Sequence, residues 1–393
     1  MRSTFGRMLL RELSFENGPV EVRGAFELDR TPHGLLPRRL PAWTRLQIPD
    51  VFMHTQVTLT AGVRIVFATD SPVVELTVHP RTIHQIVEPQ RPPVFQMLVD
   101  GEMQPDATAH GGSWVHIDRT KGPSGIEFEE GSAVTLRWEL PAGPSVREIE
   151  IWMPTNSSVE LLSLRVASDA VVQAVPVTRR RWTHYGSSIS HCVDVWRPFE
   201  AWPAMVARQH SLELTNVALA GQCQLDPFMG RVIRDAPADV ISLKLGINLV
   251  NANSMTERTF GPAVHGLLDH VRDGHPSVPV LVVSPIFCPL VEQHVGPTIP
   301  QEGGGFAVVS ASPFARPFGL TLVRIREMLA DIVATRSAAG DADLRYLDGL
   351  ELFGAADEHL LHDRLHPSPE GYALLGARFA ARAFGPGGLI AAD

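Results

Sequence analysis

The chain has few cysteines and no long apolar run. Cys192, Cys223 and Cys288 are the only cysteines among 393 residues. An odd number of cysteines does not indicate a disulfide framework. Their spacing is not that of a zinc site either. No apolar stretch approaches the roughly 18 to 20 residues that a membrane-spanning helix requires. We therefore expect no metal site and no membrane partner.

The chain also lacks an excess of basic residues. Its 34 lysines and arginines are outnumbered by 43 aspartates and glutamates, which gives a net charge of -9. Binding to nucleic-acid phosphates needs a basic surface, so we expect no nucleic-acid partner. Residues 1–10 contain only a short apolar patch, which Arg11 and Glu12 interrupt, and they do not resemble a secretory signal. We expect a cytoplasmic protein.

What the sequence does contain falls into two patterns, and a chain of this length is expected to form two domains. Residues 1–167 hold short segments of alternating apolar and polar residues, separated by glycine- and proline-rich turns and without helical stretches. This pattern predicts an all-β sandwich, similar to a jelly roll or a carbohydrate-binding module. The predicted strands are 20–28, 57–68, 73–78, 94–99, 114–118, 125–129, 133–139, 147–153 and 159–166.

Residues 168–180, which include Pro176, are the predicted linker. From residue 181 to residue 393 strands alternate with helices, which predicts a flavodoxin-like α/β domain with a parallel sheet. Such sheets place their sites at the carboxyl ends of strands. The predicted strands are 181–185, 212–217, 239–245, 278–284 and 344–347, and the predicted helices are about 198–210, 254–273, 320–335 and a final helix to about 383.

Two short blocks predict an acyl-transferring serine enzyme. Tyr185-Gly186-Ser187-Ser188-Ile189 closes the first of these strands, and Asp363-Arg364-Leu365-His366-Pro367 follows about 175 residues later. A serine just past a strand end, with Asp and His three residues apart near the C-terminus, suits nucleophilic catalysis. His366 would take the proton of Ser188, and Asp363 would hold the imidazole in the right tautomer.

Two further blocks, Asn216–Gly221 and Gly246–Asn248, supply candidate oxyanion donors. An ester carbonyl under attack develops negative charge on oxygen, which rigid hydrogen-bond donors stabilise. The backbone N–H of Ser188, the N–H of Gly221 and the side-chain amide of Asn248 would provide three such donors. Glycine suits its position because a missing Cβ lets the backbone approach the substrate.

All four blocks, in this order, resemble those of the SGNH (GDSL) hydrolases. The resemblance covers roughly residues 180–393 and implies an acyl-serine intermediate formed without a metal or another cofactor. Two positions depart from the family pattern, since Ser187 stands where aspartate is usual and Leu249 follows Asn248 where an acid is usual. Both changes remove negative charge near the site, so we expect an apolar mouth that tolerates an aromatic or thioester-bound acyl donor.

Some residues near these blocks leave alternatives open. His191, three residues after Ser188, is either a rival base or a wall residue. The three cysteines follow the site blocks and a predicted strand end, so we expect them around one pocket rim, either as small packing residues or, for one of them, as a nucleophile. The segment 285–318 is too long for an ordinary connection. It is either a substrate-covering loop or a disordered excursion. In the first case the glycines at 303–305 would form a hinge, and the loop would pack the apolar residues Ile286, Phe287, Phe306, Phe314 and Phe318.

The joint architecture resembles bacterial carbohydrate esterases and the acyltransferases that decorate polyketides. The second resemblance implies transfer of an aromatic acyl group, such as salicylyl, from a coenzyme A thioester to a hydroxyl of a polyketide-like acceptor. The first implies hydrolysis of acylated sugars or small esters. Both have small-molecule partners, an acyl donor and a hydroxyl acceptor or water. A glycan-binding protein without catalysis is the third hypothesis.

Overall fold

The computed structural model describes residues 8–140, 145–302, 304–309 and 318–390. The N-terminal half is built from antiparallel sheets, and the C-terminal half is a parallel sheet covered by helices. This confirms the predicted fold class, a β-sandwich followed by an α/β domain.

The N-terminal strands form the two layers of the sandwich. Along the chain they are β1 (Leu10–Leu13), β2 (Glu21–Arg23), β3 (Glu27–Arg30), β4 (Leu35–Arg38), β5 (Arg64–Thr69), β6 (Val73–Gln85), β7 (Val94–Val99), β8 (Glu102–Met103), β9 (Ala107–Thr108), β10 (Ser113–Ile117), β11 (Ile126–Glu129), β12 (Val134–Glu139), β13 (Arg147–Trp152), β14 (Ser157–Ala167) and β15 (Val172–Gln173). One layer runs β11-β10-β6-β14-β4-β3, with β12 on β6 and β1 on β14. The other runs β15-β5-β13-β7-β8, with β2 on β5 and β9 on β7.

The alternation that predicted the sandwich is visible in its burial. In β12, Leu136 and Trp138 are buried, whereas Thr135, Arg137 and Glu139 between and beside them are exposed. Successive side chains of a strand point to opposite faces, so one face joins the core and the other meets solvent. Within residues 168–180, the predicted linker, β15 pairs with β5.

The helix α1 (Val51–Thr58) of the N-terminal half was not predicted, and neither were the short strands β1, β4, β8 and β9. The predicted strand 57–68 was wrong at its start, because Val57 and Thr58 are the end of this helix. The segment is rich in β-branched residues, which favour strands. Packing overrides that preference, since Met53 and Val57 are fully buried, and the Asp50 side chain caps the helix by accepting from the N–H of Met53 at 2.7 Å.

The C-terminal half is a five-stranded parallel sheet in the order β17-β16-β18-β19-β22 among the described residues. Its strands are β16 (Arg180–Tyr185), β17 (Leu212–Asn216), β18 (Val240–Lys244), β19 (Val280–Val283) and β22 (Leu344–Leu347), and the strands β20 (Thr298–Pro300) and β21 (Phe306–Val308) form a separate hairpin. Its helices are α2 (Ser188–His191), α3 (Trp202–Gln209), α4 (Pro227–Asp235), α5 (Ile247–Ala252), α6 (Glu257–Gly274), α7 (Leu322–Ala338) and α8 (Pro369–Ala383). The helices α4 and α5 were not predicted. In the described ranges no helix has the length and apolar character needed to cross a membrane.

The long segment 285–318 carries the hairpin of β20 and β21. Gly304 and Gly305 adopt φ angles of 103° and 75° in its turn, a region that glycine enters without steric cost. Gly304 and Gly305 therefore lie in the turn between β20 and β21, and their role as a hinge stays a prediction. Gly303 and Phe314, which belong to the same prediction, lie outside the described residues.

The two halves share a buried interface. One continuous apolar cluster joins Leu40, Met53 and Trp152 of the N-terminal half to the core of the parallel sheet, while a second cluster fills the sandwich alone. Polar contacts cross the same boundary, since the buried Arg64 donates to the carbonyl of Leu214 at 3.0 Å and pairs with the carboxylate of Glu213. The two halves therefore pack against each other through a continuous core.

Arg39 is the most buried cation of this interface, with no exposed surface. Its guanidinium donates to the carbonyls of Leu59 and Gln56 on its own side of the boundary and to those of Asn216 and Ala218 on the other, at 2.6 to 3.1 Å. Because it has carbonyl partners in place of a carboxylate, burial lowers the pKa of Arg39 to about 9. These bonds fix the sandwich against the loop that follows β17.

Candidate active site

Ser188 is the first residue of α2 and follows the end of β16 by three residues. Its backbone N–H lies in the first turn of a helix, where it has no intrahelical partner. The turn is tight, because a Cβ on Gly186 would lie 2.6 Å from the hydroxyl oxygen of Ser190. Ser187, which stands where the family has aspartate, caps the helix by accepting from the N–H of Ile189 at 3.3 Å.

His366 and Asp363 meet Ser188 in one hydrogen-bonded series. The Nε2 atom of His366 lies 2.9 Å from the Oγ atom of Ser188. The Nδ1 atom of His366 lies 2.6 Å from the Oδ2 atom of Asp363. A carboxylate at Nδ1 keeps the proton on that nitrogen, so Nε2 is free to accept the serine proton. The structure thus brings together the three residues predicted to form a triad.

Asp363 is held in place by its own loop. Its Oδ1 atom accepts from the backbone N–H groups of Leu365 at 2.9 Å and His366 at 2.6 Å. Burial acts to raise the pKa of Asp363, but the charge of His366 and the hydrogen bonds from it outweigh burial and hold that pKa below its usual value. The carboxylate is therefore charged at neutral pH and suited to orient and stabilise an imidazolium.

His191, the alternative base, is buried and engaged elsewhere. Its Nε2 atom lies 3.0 Å from the carbonyl oxygen of Thr155, and its Nδ1 atom accepts from Arg39 and from the N–H of Ala220, each at 3.3 Å. Burial and the nearby Arg39 charge lower the pKa of His191 well below its usual value. Both ring nitrogens are occupied, so this geometry favours a wall residue behind the site.

The predicted oxyanion donors surround the same space. Helix α5 starts at Ile247, directly after Gly246, whose φ is 121°, and Asn248 is the second residue of its first turn. The Oδ1 atom of Asn248 accepts from the N–H of Cys223 at 3.1 Å. That bond fixes the amide, since an N–H group can donate only to the oxygen, and it leaves Nδ2 as the outward donor. Gly221, with φ of 73°, lines the same cavity as Ser188 and Asn248.

The cavity above Ser188 has a volume of about 730 Å³ and receives walls from both halves of the chain. The triad residues and the oxyanion candidates form its floor. The hairpin of β20 and β21 forms one side, with Phe306 packing its ring 6.0 Å from the ring of His366. The sandwich forms the other side through the lining residues Phe52, Gln85, Ile86, Val87, Glu88, Ile117, Asp118 and Thr120.

Sequence reasoning missed this sandwich wall. Phe52 belongs to the unpredicted helix α1, and Gln85 is the last residue of β6, which Ile86, Val87 and Glu88 follow. The available signal was the apolar pair Ile86 and Val87 in a turn region where polar residues are usual. Nothing local in the sequence connects either segment to Ser188.

The cysteines lie beneath the site and not on its rim as expected, since all three are buried. Each thiol donates to a backbone carbonyl: Cys192 to Ile189 at 3.3 Å, Cys223 to Lys244 at 3.8 Å and Cys288 to Arg364 at 3.5 Å. Burial raises the pKa of Cys223 to about 12 and that of Cys288 to about 11. A thiol that stays protonated is a poor nucleophile, so these residues act in packing.

Three potential metal ligands meet at the cavity rim. One ligand atom each from Glu88, Asp194 and His362 lies within 4.8 Å of the other two. His362 is exposed and the two carboxylates are half-buried. Acidic groups at a solvent-filled rim commonly occur without a metal, and the triad geometry needs none.

Comparison with protein families finds a match within the C-terminal half. Residues 184–374 match the GDSL-like Lipase/Acylhydrolase family. This match spans all four sequence blocks and confirms the resemblance on which they were grouped. A comparison with curated protein sequences finds no match.

Solved structures share the arrangement of both halves. The salicylyl-acyltransferase SsfX3 from a tetracycline biosynthetic pathway is 24% identical, with a TM-score of 0.78 over 95% of this chain and 96% of its own. An active-site mutant of a family two carbohydrate esterase from Clostridium thermocellum is 15% identical, with a TM-score of 0.57 over 93% and 97%. A family two carbohydrate esterase from Cellvibrio japonicus is 11% identical, with a TM-score of 0.55 over 95% and 97%. At these identities the likeness establishes the two-part fold.

Proposed function

We propose that this chain, whose C-terminal half is a GDSL-like lipase/acylhydrolase domain, is an acyltransferase that works through an acyl-serine on Ser188. One observation carries the proposal, the hydrogen-bonded series from Asp363 through His366 to Ser188. This is the arrangement that activates a serine hydroxyl for attack on an acyl carbon.

The first half of the reaction forms the acyl-enzyme. The Oγ atom of Ser188 attacks the acyl carbonyl while His366 takes its proton at Nε2, and Asp363 stabilises the resulting imidazolium. The carbonyl oxygen gains negative charge and accepts hydrogen bonds from the N–H groups of Ser188 and Gly221 and from the Asn248 amide. His366 then returns the proton to the leaving thiol or alcohol.

The second half consumes the acyl-enzyme. A hydroxyl group bound in the cavity loses its proton to His366 and attacks the acyl carbon. The bond from that carbon to the Oγ atom of Ser188 then breaks, and His366 returns the proton to Oγ. A positioned hydroxyl competes with water because its effective molarity can reach about 10⁵–10⁸ M. The proposed donor is an aromatic acyl group on a coenzyme A thioester, and the proposed acceptor is a polyketide-like alcohol. The likeness to SsfX3 over almost the full chain and the large two-walled cavity support this assignment.

A second candidate, an esterase acting on acylated sugars or small esters, is favoured by the charge of the cavity. Glu88, Asp118 and Asp194 line it, and the exposed Arg364 is the cation among the lining residues. The mouth is thus acidic and not apolar as expected from Ser187 and Leu249, and negative charge repels the phosphates of coenzyme A. The family two carbohydrate esterases have the same two-part fold, and in an esterase water replaces the acceptor alcohol.

Product analysis separates these functions. The full chain is incubated with benzoyl-coenzyme A or with 4-nitrophenyl benzoate, with and without a polycyclic alcohol, and the products are followed by chromatography. Transfer predicts slow hydrolysis without the alcohol and a new ester with it. Rapid hydrolysis that no alcohol diverts would establish the esterase. Absence of a Ser188 acyl-enzyme with every donor would leave the glycan-binding hypothesis.

A further inference from the structure

Helix α1 of the N-terminal half places an aromatic ring against an oxyanion candidate of the C-terminal half. A Cβ built on Gly221 would lie 3.0 Å from the Cε1 atom of Phe52. The ring is therefore in contact distance of the Gly221 backbone. Although the next residue, Met53, is fully buried, Phe52 itself is 46% exposed. Its open face lines the cavity above Ser188.

Phe52 is part of a larger apolar wall. Ile86 and Val87, which follow β6, are 48% and 54% exposed and line the same cavity. Val87 also approaches the hairpin, since a Cβ on Gly304 would lie 3.7 Å from its Cγ2 atom. Exposed apolar side chains gathered in a concave site are typical of ligand pockets. The wall thus offers an apolar surface beside the reacting serine.

The chemistry of acyl transfer assigns a different group to each side of this space. The carbonyl oxygen must point to the N–H groups of Ser188 and Gly221. The leaving group and the incoming acceptor must reach Nε2 of His366, because they exchange protons with it. The acyl substituent therefore occupies the side of the oxyanion donors that faces away from His366. Phe52 adjoins Gly221, whereas Phe306 adjoins His366.

We infer that Phe52 forms a wall of the acyl-group pocket and selects an apolar acyl group of the size of an aromatic ring. Phe306 borders the leaving group and acceptor instead. Phe52 is then a specificity-determining residue that the N-terminal half supplies to the catalytic half. This inference rests on the proposed acyl-serine function.

The test compares acyl groups on a constant leaving group. The ratio of kcat/KM for 4-nitrophenyl benzoate to that for 4-nitrophenyl acetate is measured for the full-length chain and its variants. Removal of apolar pocket contacts changes such discrimination by about tenfold or more. We expect Phe52→Ala to lower the benzoate-to-acetate ratio to that extent, and Phe52→Leu, which keeps an apolar side chain at the same place, to give an intermediate ratio.

Two variants serve as matched controls. Val51 is the neighbouring residue of α1 and is 80% exposed, so Val51→Ala should keep the ratio of the unmodified chain. Phe306→Ala should keep that ratio as well and should instead change the relative rates of 4-nitrophenyl benzoate and methyl benzoate.

The outcomes are distinct. An unchanged benzoate-to-acetate ratio in Phe52→Ala and Phe52→Leu, or a collapse of that ratio in Phe306→Ala alone, would overturn the assignment of Phe52 to the acyl group. Failure of the unmodified chain to form an acyl-enzyme with either ester would instead refute the proposed function. Mass spectrometry of the trapped enzyme measures this second point independently of the ratio.

Discussion

The imidazole of His366 lies within 2.9 Å of the Ser188 hydroxyl, although the two residues are 178 positions apart in the chain. The contact closes across the carboxyl end of the parallel sheet, where the loop after β16 faces the loop before α8. Ser188 and His366 are 8% and 7% exposed and line the cavity, so the contact is largely sheltered from bulk water.

The first prediction concerns this pair. Ser188→Ala should abolish acyl-enzyme formation, and His366→Ala should lower kcat by at least ~10³-fold, because the two residues act as a unit. Asp363→Asn should lower kcat by favouring the wrong tautomer of His366. Mass spectrometry after mixing with 4-nitrophenyl benzoate measures the acyl-enzyme.

His191→Ala is the control for the choice of base. It should reduce stability, because Arg39 and the N–H of Ala220 lose an acceptor. The folded fraction should still acylate Ser188. If His366→Ala kept a near-normal rate while His191→Ala lost it, the assigned base would be wrong.

The second prediction concerns the oxyanion. Asn248→Ala should lower kcat by roughly 10²–10³-fold with little change in substrate binding, since the amide bond strengthens as charge develops on the carbonyl oxygen. Asn251→Ala is the matched control, because Asn251 lines the same cavity from the next turn of α5. Steady-state kinetics on one ester compares the two variants. Equal kcat values for them would remove Asn248 from the oxyanion site.

The third prediction concerns Lys244, a cation on the central strand β18 that is 2% exposed. Burial lowers the pKa of Lys244 from 10.5 to about 8. Between these values the unfolded chain binds more protons than the folded one, so stability rises as the pH rises from about 8 toward 10. Below about pH 8 the folded chain carries the buried charge, which lowers its free energy of unfolding by about 3 kcal/mol. This figure follows because one pKa unit corresponds to about 1.36 kcal/mol.

Lys244→Met should therefore raise the free energy of unfolding at pH 7 and reduce its increase between pH 8 and pH 10. Lys121 is the only other lysine of the chain, and its side chain is 63% exposed. Lys121→Met should leave both quantities nearly unchanged, because an exposed ion pair contributes little to stability. Urea unfolding followed by circular dichroism at both pH values provides the comparison. A destabilised Lys244→Met at pH 7 would contradict the prediction.

The fourth prediction concerns Arg39. Arg39→Met removes the donor to the carbonyls of Asn216 and Ala218 and leaves buried acceptors without partners, which should cost about 3 kcal/mol or more. Arg30→Met is the control, since its exposed ion pair with Glu16 should contribute no more than about 1 kcal/mol. The midpoint of urea unfolding measures both. Equal midpoints would show that the interface does not depend on Arg39.

Several elements could be predicted from short stretches of sequence, because residues close together in the chain determine their structure. The strands Val94–Val99 and Leu344–Leu347 lie where the sequence placed them, because short apolar runs bounded by turn residues have few alternatives. The four site blocks were found because each carries its own residue signature and the loops at one end of a parallel sheet converge.

The elements that were not predicted depend on contacts between segments that are distant in the sequence. Helix α1 forms from strand-favouring residues because Met53 and Val57 are buried against the parallel-sheet domain. Helix α4 was missed because Pro227 and Gly230 lie within nine residues, a composition typical of loops. The contact of Phe52 with Gly221 joins two segments that lie in different halves of the chain, and no periodicity or spacing can reveal it.

The hydrogen bonds of Arg39 bear on how this enzyme could be recombined with its relatives. Exchange of the whole N-terminal half would separate the guanidinium from the carbonyls of Asn216 and Ala218 and would remove α1 from the cavity wall. A chimera that keeps Arg39 and Val51–Thr58 with the catalytic half, and places its crossovers inside the sandwich, preserves both. The segment that must be exchanged as one piece is thus larger than the parallel-sheet domain, and its boundary runs through the β-sandwich.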